Sequence, residues 1–448
     1  MTVETRELQQ PRAVIFAALP QGADAGDRLA EIKDLLVAAD VECGGEVVQH
    51  RSRPDAHSYL GPGKIGELKA AVRRAGATCA VCEDDMTPAQ VATVLDAVDV
   101  DVLDRTELIL SVFARHAHTI EGKLQVDLAQ LQYELTRVRG QGQVMSRLGG
   151  GTDMRGPGEQ KLEVDRRVIR QRIQQMQRRI ERLARTRRTQ RARRVRASLP
   201  LIALAGYTNS GKSTLLNALT DADVPVRDRL FETLDPTTRT FRHRDRDYLL
   251  TDTVGFIRKL PHLLVDAFAS TLEEASLADL LLVVADAALP ADEIADRQET
   301  VAEVLDEIGA SDVPKLLVLN KVDRLDEGQR ARLTALYPDA LRISARAGEG
   351  LDTLRDRVAA FFAGQLVPVR LLVPYAEGAV VGRLRGIAAD IEEESTADGV
   401  LISARVPRAT AARYRRFALA ARDARRRPSQ GAPGPDAATD GDEEGDAS

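Results

Sequence analysis

The residues Gly206, Tyr207, Thr208, Asn209, Ser210, Gly211, Lys212, Ser213 and Thr214 stand in an order that can hold a nucleoside triphosphate. Two glycines five positions apart, followed by Lys-Ser, let the backbone curl until successive N–H groups point at phosphate oxygens. Lys212 would reach the β- and γ-phosphates, and the Ser213 hydroxyl would ligate Mg²⁺. The elements that must position these groups are legible on either side. Leu201–Ala205 is an apolar run that predicts a buried strand, and Leu215, Leu216 and Leu219 follow at helical spacing. Strand, loop and helix in that order also aim the positive end of the helix at the same anion.

Three further clusters follow the loop. Asp252-Thr253-Val254-Gly255 comes after the apolar run Tyr248–Thr251. A carboxylate there holds the hydration shell of Mg²⁺, and the Gly255 N–H senses the γ-phosphate. Asn320-Lys321-Val322-Asp323 ends the run Lys315–Leu319. The Asp323 carboxylate can accept two hydrogen bonds from guanine N1–H and N2–H₂, donors adenine lacks, for a discrimination of order ~10³. Ser344-Ala345, followed by Arg346, offers a backbone N–H for guanine O6. GTP, with GDP as product, is therefore the expected nucleotide.

The threonine that closes on Mg²⁺ and the γ-phosphate falls within Phe231-Glu232-Thr233-Leu234-Asp235-Pro236-Thr237-Thr238-Arg239, which offers three. Thr233 lies twenty-one residues after Lys212 and is favoured over Thr237. Lys212, Thr233 and Gly255 are then the catalytic candidates, and Ser213, Thr233 and Asp252 the metal candidates. Many GTPases place a glutamine directly after Asp-x-x-Gly to orient the attacking water. Here the position is Phe256, which can neither donate nor accept. The sequence therefore predicts slow turnover in isolation and stimulation by a partner. Asn209 could help bind K⁺ beside the phosphates.

Composition bounds the rest. The 448 residues suffice for two to four domains, and 44% hydrophobic with 4% aromatic residues predicts aliphatic cores. No apolar run nears the ~20 residues of a membrane span, and Met1–Pro11 lacks a signal core. A cytoplasmic protein without membrane contact is expected. Three cysteines argue against a disulfide framework. Cys79 and Cys82 fall on an apparent strand, where positions three apart face opposite ways, so they are expected in the core. His116 and His118 could share a strand face, but no carboxylate motif accompanies them.

The fold class expected is α/β. Residues 1–11 would be a disordered N-terminus. Residues 12–104 alternate strand-like runs (Arg12–Leu19, Thr78–Cys82, Val100–Leu103) with helical ones (Asp27–Ala39, Ile65–Ala75, Pro88–Val98), predicting a small α/β domain. Tyr59–Lys64 is expected to be a turn before a helix. Residues 105–196 predict a long antiparallel helical hairpin. Leu124, Leu128, Leu131, Leu135 and Val138 form one heptad stripe, and Ile169, Ile173, Met176, Ile180 and Leu183 a second. Between them lies a glycine-rich tip, 140–158, with seven glycines. From Arg166 to Arg196 the second arm holds fourteen arginines against one acid, Glu181. That pattern suits a phosphate backbone, and the scarcity of aromatics favours folded RNA over stacked single strands. Residues 199–364 predict a doubly wound P-loop domain with its ligand at the carboxyl ends of the strands. Residues 366–421 predict a small α+β domain with strands Val369–Val373, Val380–Leu384 and Val400–Val406 and a helix Thr410–Ala421. Residues 425–448 would be an acidic disordered tail.

Over roughly residues 12–420 the chain resembles the HflX family of translation-associated GTPases, in the Obg–HflX group. The match is carried by Gly206–Thr214, Leu230-Phe-Glu-Thr-Leu-Asp-Pro-Thr237, Asp252-Thr-Val-Gly-Phe-Ile257 and Leu260-Pro-His262. Glu121–Leu131 and Arg155-Gly-Pro-Gly-Glu-Gln160 add to it. The resemblance implies a monomeric GTPase that binds the ribosome, chiefly its large subunit and rRNA, rather than DNA. It also implies that the hairpin tip reaches towards the peptidyl-transferase region, and that stalled or idle ribosomes are split. The alternatives are a GTPase of subunit assembly or RNA remodelling, and a nucleotide-gated binding module with negligible hydrolysis.

Overall fold

The computed structural model describes residues 10–148, 157–197, 199–220, 230–231, 237–244 and 246–419. Contacts divide the chain into two compact units, Met1–Phe362 and Ala363–Ser448.

The first unit opens with a parallel sheet of order β2-β1-β3-β4, formed by β1 (Arg12–Leu19), β2 (Glu42–His50), β3 (Cys79–Cys82) and β4 (Asp101–Leu103). Helices α1 (Ala25–Ala38), α2 (Pro62–Ala75) and α3 (Pro88–Val98) alternate with the strands. Local chemistry sets their starts. Asp24 accepts from the Gly26 N–H ahead of α1, and Thr87 with Gln90 forms a reciprocal capping box ahead of α3. β1 and β3 are buried on both faces, which explains their unbroken apolar runs. Cys79 and Cys82 are free and buried, as expected of packed core cysteines.

Helix α4 (Arg105–His116) covers the sheet before the hairpin begins, so His116 ends a helix and is not on a strand. The hairpin arms are α5 (Ile120–Leu148) and α6 (Pro157–Ala197). At helical rise they span about 44 and 62 Å. Both heptad stripes are buried or half-buried through Leu183, while most positions between them are exposed. The expected tip is shortened: residues 140–148 continue α5 and 157–158 begin α6, despite their glycines. Residues 149–156 lie outside the described part.

The remainder of this unit is a six-stranded sheet of order β10-β9-β8-β5-β7-β6. Its strands are β5 (Leu201–Gly206), β6 (Thr238–His243), β7 (Arg246–Asp252), β8 (Leu280–Asp286), β9 (Lys315–Asn320) and β10 (Leu341–Arg342). All pairs are parallel except β6 with β7, so the sheet is mixed. Helices α7 (Lys212–Thr220), α8 (His262–Ser276), α9 (Ala291–Glu307), α10 (Glu327–Leu336) and α11 (Leu351–Gly364) connect the strands. One hydrophobic core is shared with the N-terminal sheet. It joins Leu110 and Phe113 of α4 to Phe231, Phe256, Leu264 and Phe268. Phe113 stacks edge-on against both Phe231 and Phe268, with centroids 4.5 and 4.9 Å apart.

The second unit carries an antiparallel sheet of order β11-β13-β12, from β11 (Leu366–Val373), β12 (Ala389–Thr396) and β13 (Gly399–Pro407). The expected strand Val380–Leu384 is instead helix α12 (Gly378–Arg385), with Val380, Val381 and Leu384 buried at helical spacing. A short apolar run does not distinguish the two periods by itself. The expected helix from Thr410 is shorter, α13 (Arg408–Arg413). The acidic tail 425–448 and residues 1–9 lie outside the described part. Among the described residues, no helix is long and apolar enough to cross a membrane, and no group of three metal-ligating side chains forms.

Candidate nucleotide site

Four loops meet at the carboxyl edge of the central sheet. β5 delivers the loop 206–211, which turns directly into α7. The turn needs glycine at both ends. Gly206 has φ +150° and a Cβ there would lie 2.3 Å from the Val284 carbonyl; Gly211 has φ +94° and its Cβ would lie 2.2 Å from Asn320 Nδ2. Asn209 takes the left-handed conformation between them and is exposed. Lys212 is buried, and its ammonium donates to the carbonyls of Gly206 and Tyr207 at 3.1 and 2.9 Å. Burial pulls its pKa down to about 8, against the opposing pull of Asp252. Thr208 and Ser210 are buried with hydroxyls that have no partner among the described residues. Thr214 lies in the first turn of α7.

Ser213 Oγ donates to Asp252 Oδ2 at 2.6 Å. A hydroxyl and a carboxylate held this close are two hard oxygen donors, and they fit Mg²⁺. Thr253 is turned inward and donates to the Leu204 carbonyl at 2.6 Å, and Val254 is buried beneath it. Gly255 is packed so tightly that a Cβ would approach Thr208 to 2.8 Å and Lys212 Nζ to 3.1 Å. Only a bare backbone fits between the loop and Lys212.

The side predicted to read the base is equally connected. Asn320 donates to the Ser210 carbonyl at 2.9 Å, and its Oδ1 accepts from the Ala345 N–H at 2.9 Å. Lys321, at φ +67°, donates to the Asn209 carbonyl (2.8 Å) and to Asp286 (2.7 Å). Val322 is buried and anchors the turn. Asp323 is exposed, and a hydrogen bond from Ser344 holds its carboxyl below the usual range. Arg346 is exposed beside Ala345. The predicted residues of this side therefore come together around one opening.

Two predicted residues point elsewhere. The Tyr207 side chain is buried; its hydroxyl accepts from the Arg258 N–H at 2.7 Å and donates to Glu31. Phe231 is committed to the shared core against Phe113, which leaves its backbone alone to face the loop. Glu232, Thr233, Leu234 and Asp235 lie outside the described residues. Glu31, Arg105 and Arg258 were not predicted, because their partners are distant in sequence and no motif marks them. Phe256 is fully buried, and its backbone pairs with Gly206 and Thr208.

Three family models match in sequence. Residues 26–114 match "GTP-binding GTPase N-terminal", 116–194 "GTP-binding GTPase Middle Region", and 201–321 "50S ribosome-binding GTPase". The chain is 41% identical over 406 residues to the GTPase HflX of Lacrimispora saccharolytica, covering 90% of this chain and 95% of that one. It is 42% identical over 409 residues to the GTPase HflX of Caldanaerobacter subterraneus, covering 91% and 94%. Among solved structures, a GTP-binding protein from Sulfolobus solfataricus in complex with GDP is 24% identical. That alignment covers 78% of this chain and 98% of the other, with a TM-score of 0.42.

Proposed function

The chain belongs to the HflX family of GTPases, and from that premise we propose that GTP hydrolysis governs its attachment to the large ribosomal subunit. The observation that carries the proposal is a shared hydrophobic core: the nucleotide loops and the root of an arginine-rich hairpin are built into one compact unit. A change at the loops is therefore delivered to a surface suited to an RNA backbone.

In this reading the backbone N–H groups of Gly206–Thr214 cradle the phosphates, and Lys212 exchanges its two carbonyl partners for β/γ-oxygens. Ser213, Asp252 and Thr233 would hold Mg²⁺, which would neutralise charge developing on the phosphate oxygens. The Gly255 N–H meets the γ-phosphate. Asn320, Lys321, Asp323, Ser344 and Ala345 select guanine. Glu232, Thr233, Leu234 and Asp235 are assigned to nucleotide binding. Phe256 is buried and cannot orient water, so free protein turns over slowly and the large subunit accelerates it. Asn209 would assist K⁺ binding at the same edge; equal rates in K⁺ and Na⁺ would remove that detail.

The outcome proposed is splitting or rescue of stalled and idle ribosomes in the cytoplasm by a monomer. Incubation of mature ribosomes with the protein and a non-hydrolysable GTP analogue, followed by sedimentation, tests it. Separation into subunits is expected. Intact ribosomes together with binding to immature large subunits would favour an assembly role instead.

A further inference from the structure

The first residues of α4 face two ways. Arg105 is 2% exposed and sits between the N-terminal sheet and the nucleotide loops. Its guanidinium donates to Glu83 at 3.2 and 3.3 Å, to Glu31, and to the Arg258 carbonyl at 3.1 Å. Glu31 also accepts from Tyr207 of the phosphate loop, and the Tyr207 hydroxyl accepts from the Arg258 N–H. Arg258 is thus held at both backbone polar groups, three residues after Gly255. The neighbouring Lys259 is fixed to Asp84 at 2.5 Å.

Asp104, directly before Arg105, is 1% exposed and points to the hairpin. It caps α4 by accepting from the Glu107 N–H at 3.0 Å, and it also accepts from the Tyr133 hydroxyl of α5. Arg137, one turn further along α5, pairs with Glu107 and lies 4.0 Å from Asp104. Adjacent buried residues therefore bond to opposite sides, one to the nucleotide loops and one to the hairpin root. Buried charges bonded this closely move together, because separating them leaves a desolvated charge unpaired.

We infer that Asp104–Arg105 is the positioning element through which the phosphate loop and the segment after Gly255 set the attitude of the helical hairpin. When the Gly255 N–H turns to a γ-phosphate, the Arg258 backbone shifts. Arg105 follows with its carboxylates, α4 tilts at its first turn, and Tyr133 and Arg137 carry α5 with it. The idea rests on the hairpin being the ribosome-contacting arm, but it concerns a motion within the free chain.

The test is a spin-label distance in the full chain. Labels at Gln174→Cys on the exposed face of α6 and Glu303→Cys on α9 are introduced with Cys43→Ser; Cys79 and Cys82 are buried. The distance is expected to differ between GDP and a non-hydrolysable GTP analogue. Tyr133→Phe removes one oxygen from the hairpin root and is expected to abolish that difference with GDP affinity unchanged, although the melting temperature falls because buried Asp104 loses a donor. Arg105→Lys keeps the charge but cannot span the carboxylates and the Arg258 carbonyl together, and should also abolish it. The inference is overturned by a parent distance indifferent to nucleotide, or by a difference that persists in both variants. It is equally overturned if the difference disappears only with loss of GDP affinity, since global disruption then explains the result. Sedimentation with large subunits separates the two ideas. Absent binding with the distance change intact sinks the ribosomal reading alone.

Discussion

Thr208 donates its backbone N–H to the carbonyl of Phe256 at 2.7 Å, so the phosphate loop and the residue after Gly255 are joined like neighbouring strands. The Phe256 side chain is buried in the core shared with α4. The position that carries a water-orienting glutamine in other GTPases here welds the nucleotide loops to the N-terminal domain. Phe256→Gln is therefore expected to slow or leave unchanged the basal turnover, while destabilising the fold by about 1–3 kcal/mol through burial of an unpaired amide. Phosphate release and thermal melting check this together. Faster hydrolysis at an unchanged melting temperature would refute it.

Guanine selection should follow one carboxylate. Asp323→Asn is expected to weaken GTP binding by about 10³-fold and to favour xanthosine triphosphate, whose C2 carbonyl can accept from the new amide. Competition against a fluorescent guanine nucleotide measures both. Retained GTP preference would move recognition away from Asp323.

Nucleotide affinity should fall at alkaline pH. Burial pulls Lys212 down to a pKa of about 8 in the nucleotide-free chain, and a triphosphate favours its charged form. Binding above that pH must take up a proton, so the association constant is expected to fall towards tenfold per pH unit. Titrations from pH 7 to 10 read this out, and a flat profile contradicts it.

Stability should respond to Glu83. Burial raises its carboxyl to about 7, although Arg105 and Lys259 oppose the shift; Glu31 and Asp84 add to it. The folded-state pKa lies above the unfolded one. The proton therefore stabilises the fold fully below about pH 4.5, and this is lost as pH rises through about 7, amounting to order 3 kcal/mol. Glu83→Gln keeps a neutral group and is expected to flatten that part of the melting-temperature profile. An unchanged profile would assign the dependence to other groups.

The phosphate loop was legible because its chemistry is local. Gly206, Gly211 and Lys212 must stand at fixed offsets for the backbone to turn, whatever surrounds them. Asn320 and Asp323, the proposed base-reading residues, follow a strand for the same reason. The network around Arg105 was not legible. Its partners Glu31 and Arg258 lie 74 and 153 residues away, and Tyr207 is 176 residues from Glu31. Only the shared core brings them together. The strands β2 and β6 escaped notice because few of their residues are buried. Without a buried face there is no period-2 pattern to detect. Helix α12 reads as a strand in sequence because its apolar run is too short to show which period it follows.

A nucleotide site lacking its own water-orienting side chain is proposed to be completed when the basic hairpin meets the large ribosomal subunit. Phosphate release from GTP, with and without large subunits, using the intact chain and one lacking 140–158, tests it most directly. Slow release by either protein alone is expected, with strong stimulation of the intact chain by large subunits and loss of that stimulation on deletion. Free protein as fast as the complex, or full stimulation of the deleted chain, would contradict it.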